Sequence, residues 1–224
     1  MWGGWKSVGC LEEATEDLTY SGGVPRIIDY EIVLQRLTAE GLKCHYPNGG
    51  AFGFRSEALV RGWIGPPDET IKPAARAVAR KVGEPYEANL AAAARRAWQL
   101  YLPGDVWVMP AAHWAYELND GSRDWQPEAV QKLGLDPGLL KDRNSAAAIE
   151  FSPVETQKFR DFVQRLLERL QQSDFTLAFA GRGTICTVHH HKQLWWVTID
   201  PHVMGGLDEL VAGGGCGLGQ AAEC

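Results

Sequence analysis

The stretch that decides the fold runs from residue 147 to residue 199. It reads Ala147-Ala-Ile-Glu-Phe151, Ser152-Pro-Val-Glu155, a mixed polar and apolar run to about Gln172, then Phe175-Thr-Leu-Ala-Phe-Ala180, Thr184-Ile-Cys-Thr-Val-His-His190 and Leu194-Trp-Trp-Val-Thr-Ile199. The first piece is a short strand. Ser152 to Glu155 is a capping box, with a hydroxyl at the N-cap, proline at the first helical position and a carboxylate at the third. The helix that must follow carries Phe159, Phe162, Val163, Leu166, Leu167 and Leu170 on one face, and Lys158, Arg160, Asp161, Arg165, Glu168 and Arg169 largely on the other. Three strands come next, joined by Gly181-Arg-Gly183 and by a turn near His191-Lys192-Gln193, which makes an antiparallel meander. Asp200-Pro201 closes it, and a short helix is expected over Val203 to Val211.

Upstream, Pro25 opens a helix through about Leu37, striped by Ile27, Tyr30, Leu34 and Leu37 and stopped by Gly41. Lys43 to Phe54 reads as a hairpin around Asn48-Gly49-Gly50. Beyond the breaker Gly65-Pro-Pro-Asp68, the pattern predicts helices over Pro73 to Lys81 and Pro85 to about Leu100, then a buried strand over Asp105 to Met109. From there to about Ser145 the chain is irregular, with room for one short helix near Pro127 to Leu133. This order of elements predicts a single α+β domain: a mostly antiparallel sheet that includes the C-terminal three-stranded meander, with helices packed on one face. An irregular N-terminal arm (1–22) and a mobile glycine-rich tail (212–224) flank it.

The 224 residues, 45% hydrophobic and 22% charged, have the composition of an ordinary globular protein and exclude a disordered, collagen-like or coiled-coil chain. A net charge of −6 opposes binding to a polyanion. The segment Ile71 to Trp98 is locally +4, through Lys72, Arg76, Arg80, Lys81, Arg95 and Arg96 against Glu84 and Glu87. Its second helix is alanine-rich and carries no set of base-reading side chains, so a solvated face is the simpler reading and nucleic acid is disfavoured. Five widely spaced cysteines without a CxxC pair read as free thiols in a reducing compartment. The N-terminus lacks the basic and apolar regions of a signal peptide, and no uncharged run approaches the roughly 20 residues that span a bilayer. A cytoplasmic protein without a membrane segment is the expectation.

No phosphate loop, nucleophile elbow or HExxH motif is present. Three constellations remain. In His189-His190-His191, strand alternation puts His189 and His191 on one face about 7 Å apart, where two imidazoles can chelate a divalent ion such as zinc or iron. His202 and Asp200 supply the missing ligand types, although a tight hairpin places them at the far end of a strand roughly 20 Å long. In His113-Trp-Ala-Tyr-Glu117, a histidine and a carboxylate follow a buried strand, and with Asp200 they are the candidates for acid–base work. Finally, nine tryptophans include Trp114, Trp195 and Trp196 beside these histidines. An indole joins a large apolar face to one donor and suits ligand and partner surfaces. The expected function is binding of a protein partner or a small molecule through this tryptophan- and histidine-rich surface. The competing expectation is a metal-dependent hydrolase built on His189 and His191.

Overall fold

Strands linked by tight turns must run antiparallel, and the register of one pair fixes the next. The structure, a computed structural model, describes residues 23–45, 53–55, 60–65, 78–111, 113–119, 124–141, 146–170 and 173–213. Its elements are β1 (Arg26–Asp29), α1 (Tyr30–Ala39), β2 (Lys43–His45), β3 (Gly53–Arg55), β4 (Val60–Gly65), β5 (Val78–Lys81), α2 (Tyr86–Tyr101), β6 (Val106–Pro110), α3 (Trp114–Asn119), α4 (Trp125–Lys132), β7 (Ala146–Phe151), α5 (Thr156–Arg169), β8 (Phe175–Phe179), β9 (Thr184–His189), β10 (Gln193–Thr198) and α6 (Pro201–Gly213). Eight strands form one sheet in the order β1-β7-β6-β8-β9-β10-β4-β5, antiparallel throughout except for the β4–β5 pair. The fold is α+β, and β8, β9 and β10 are the expected meander.

The side chains of each strand alternate between two faces. On one face Val106, Val108, Ile149, Leu177, Val188 and Trp196 join residues of α2 to α6 in the larger core. There Trp98 meets Phe159 edge to face with ring centroids 4.8 Å apart, and Phe179 stacks on Trp196 at 5.5 Å. On the opposite face Trp107, Met109, Ala178 and Ile185 pack under α1 through Val33 and Leu37. Among the described residues five helices therefore share one face, and α1 lies on the other. The Ser152–Glu155 box is formed, with the Ser152 N–H and hydroxyl donating to Glu155 Oε2 at 2.7 and 2.9 Å. Gly41, at φ +86°, ends α1 as expected, with the Leu42 N–H reaching Leu37 O at 3.0 Å.

Three local expectations are corrected. Residues 26–29 form strand β1 rather than the first turn of a helix, because pairing with β7 through Ile27↔Ile149 outweighs the helical spacing of Ile27 and Tyr30. Residues 78–81 form β5, paired in parallel with β4 through Gly62↔Val78, although alanine and basic residues favour a helix there. Residues 114–119 form α3 inside the stretch expected to be irregular. The expected arm (1–22), all of the expected tail except residues 212 and 213, the Asn48-Gly49-Gly50 turn and the beginning of the Pro73 helix lie outside the described residues.

Candidate functional site

Because neighbouring strands are antiparallel, the chain ends of β6, the start of β8, the β9–β10 turn and the end of β4 meet at one end of the sheet. There the Ala111 N–H donates to Asp174 O at 2.8 Å, just beyond the last β6–β8 pair. The two histidine constellations of the sequence converge on this end through Ser173 and Asp174.

The β9–β10 connection is three residues long, His190 to Lys192, and Gln193 stands opposite His189. The Lys192 N–H closes the turn on His189 O at 3.0 Å, and Lys192 itself takes the left-handed conformation, φ 60°. Three-residue hairpin loops commonly end on such a left-handed residue. The Lys192 ammonium bonds Glu87 in the first turn of α2, which holds the Glu87 carboxyl below its ordinary range. The strand stops at His189, so the alternation expected for His189 to His191 does not apply. The turn instead folds all three imidazoles together, with ring centroids 4.2, 4.3 and 4.9 Å apart. One ligand atom from each lies within 4.8 Å of the others.

Asp174 organises this cluster. Its Oδ1 accepts from the His190 backbone N–H at 3.0 Å and lies 2.8 Å from His190 Nδ1, while Oδ2 lies 3.8 Å from His189 Nε2. An ionised carboxylate only accepts, so Nδ1 is the donor of this pair, and in the neutral ring the lone pair then sits on Nε2. His189 Nδ1 accepts from the His191 N–H at 3.2 Å. Its ring lies almost coplanar over Trp195, centroids 4.4 Å apart and planes 5° apart. Burial pushes the proton affinity of His189 below that of free imidazole, with the neighbouring imidazoles adding to the effect and Asp174 opposing it.

The remaining sequence candidates fall in different places. Trp195 is half-buried, and its Nε1–H donates to Gln193 Oε1 at 2.8 Å. Trp196 points to the other face, as alternation requires, and is 1% exposed; Trp114 is equally buried, edge to face with Phe175. Both are core residues, which corrects the expectation of a surface that includes them. Glu117 is buried, its Oε2 accepting from Gln126 Nε2 at 3.1 Å and Ser173 Oγ at 3.2 Å. His113 starts α3, its carbonyl accepting from the N–H groups of Tyr116 and Glu117. Asp200 accepts the His202 N–H at 2.9 Å at the start of α6, beyond the far end of β10. The length of a six-residue strand, roughly 20 Å, separates this pair from the imidazoles, so His202 and Asp200 do not join the cluster.

Asp174 and Glu87 carried no local signal, since neither sits in a motif. Asp174 is legible only through register: counting outward from the Phe179↔Thr184 pair through Phe175↔Val188 puts the next residue, Asp174, opposite His189. No family model, curated protein or solved structure matches this chain.

Proposed function

We propose that the protein is a small-ligand-binding protein whose ligand at this end of the sheet is a divalent transition-metal ion, held by the imidazoles of the β9–β10 turn. The observation that carries the reading is the convergence of three imidazole ligand atoms within 4.8 Å. Nitrogens about 2.0–2.1 Å from a tetrahedral zinc stand roughly 3.4 Å apart, so closing onto an ion needs movements of about 1.4 Å, within reach of side-chain rotation. Imidazole suits zinc, copper, nickel and iron, and excludes magnesium and calcium as preferred ions. The Asp174 contact supports the same reading, because metal-binding histidines commonly donate their other ring N–H to a carboxylate.

Neither carboxylate named for the hydrolase form of this reading stands as a base at the cluster. Glu117 is buried and already accepts two hydrogen bonds, and Asp200 caps α6 beyond the other end of β10. A protein-partner surface built on tryptophans retains only Trp195 of the three. Elemental analysis of tag-free protein and calorimetric titration with zinc test the proposal against a His190→Ala/His191→Ala variant. A zinc isotherm in the wild type that disappears in the variant is the expected result. Equal uptake by both, or none by either, would refute it.

A further inference from the structure

The hydrogen bonds of the three histidines are unequal, and the difference assigns the ligand atoms. His190 has Nδ1 committed to Asp174 and its Nε2 lone pair unused, and the ring is partly exposed. His191 is exposed, and besides its ring contacts with His189 and His190 it gives its backbone N–H to the cluster. His189 has neither nitrogen available. Nδ1 accepts the His191 N–H, so the neutral ring carries its hydrogen on Nε2, which faces Asp174 Oδ2. Ligation by His189 would break the turn's internal hydrogen bond and pull the ring off Trp195, on which it lies parallel. Among the described residues, no carboxylate or thiolate joins the three imidazoles as a fourth member of the cluster.

Resting on the metal-binding reading above, we infer that the ion is held by Nε2 of His190 and by His191, that Asp174 is the positioning residue that presents His190, and that His189 stays outside the coordination sphere as the ring stacked on Trp195. This differs from the pairing of His189 with His191 that strand alternation suggests. Two positions of a four-coordinate ion then remain for water or for an oxygen or nitrogen donor from outside the chain.

The test titrates zinc into the full chain as wild type, His189→Phe, Asp174→Ala, His190→Ala and His191→Ala. Phenylalanine keeps a ring on Trp195 and removes both nitrogens. The inference expects His189→Phe to bind zinc as the wild type does, Asp174→Ala to bind about 10- to 100-fold more weakly, and the other two variants to bind more weakly still. Zinc X-ray absorption of the loaded wild type should count two imidazoles. A His189→Phe loss as large as that of His190→Ala, an unchanged Asp174→Ala, or a count of three overturns the assignment while leaving metal binding in place. Absence of zinc binding by the wild type brings down the metal-binding reading itself. A readout independent of variant folding is nitrogen NMR of the metal-free wild type. Hydrogen on His190 Nδ1 and on His189 Nε2 is expected, and the opposite tautomer on either ring overturns the inference.

Discussion

Replacing Lys192 separates the backbone requirement of the turn from the contact its side chain makes. Lys192 sits at φ 60° and its ammonium bonds Glu87. Lys192→Ala and Lys192→Gly both remove that ion pair, so the difference between them reads the backbone alone. A β-carbon in the left-handed region costs roughly 1–2 kcal/mol. The extra freedom of glycine in the unfolded chain takes back roughly 0.4–1 kcal/mol. The glycine variant should therefore be more stable than the alanine variant by roughly 0.5–1 kcal/mol. The ion pair, with Lys192 half in solvent, contributes about 0.2–1 kcal/mol after screening. The alanine variant should fall below the wild type by that amount, and the glycine variant should lie close to the wild type. Urea unfolding followed by circular dichroism, with a common slope across the three proteins, resolves differences of this size. An alanine variant as stable as the glycine variant would refute the left-handed turn, and with it the geometry that gathers the imidazoles.

Two other perturbations test the frame at the opposite end of the sheet. Glu40, at the C-terminus of α1, accepts the N–H groups of Gly181 and Gly183 in the β8–β9 turn, so Glu40→Ala should destabilise the fold by about 2 kcal/mol. That corresponds to a melting temperature lower by roughly 4–8 °C; a change under about 1 °C would show that the turn does not depend on this carboxylate. Burial, and then the nearby Glu150, raise the proton affinity of Asp105 above its ordinary value. A carboxyl with a raised folded pKa weakens the fold when ionised, and the penalty disappears as pH falls through the folded value toward the unfolded one. Asp105→Asn should therefore be more stable than the wild type at pH 7, with the advantage shrinking in acid. Melting curves across pH check this, and an asparagine variant less stable at pH 7, or an advantage independent of pH, would contradict it.

What the sequence made legible follows from how local each signal is. The box at Ser152 and Glu155, the apolar stripe of α5 and the glycines of the β8–β9 turn act within a few residues, and each marks the element that forms. β1 and β5 were hidden because their strand character comes from partners in β7 and β4, distant in sequence. The site divides along the same line. The histidines were visible as a run, whereas their arrangement depends on where β9 stops. A strand two residues longer would have put His189 and His191 on one face, but the turn begins at His190 and places the rings side by side. Trp114 and Trp196 show the converse, since nearness to a histidine in sequence carries no information about which face of the fold an indole enters.

The turn that presents the imidazoles departs from ordinary local preferences. Lys192 is the only non-glycine residue with positive φ among the described residues, although glycine takes the five other positive-φ positions there, Gly41 and Gly183 among them, and would remove the strain at once. The same three-residue connection crowds three imidazoles that repel one another once protonated. Stability alone favours neither feature. Both become consistent when the turn is a platform: Asp174 grips it from just before β8, Glu87 grips Lys192 from α2, and the His189 ring stacks against Trp195. Contacts from three separate parts of the chain hold the turn: on the His190 ring, on the Lys192 ammonium and on the His189 ring. Such preorganisation is what a pair of metal-binding nitrogens needs and what a solvated hairpin tip does not.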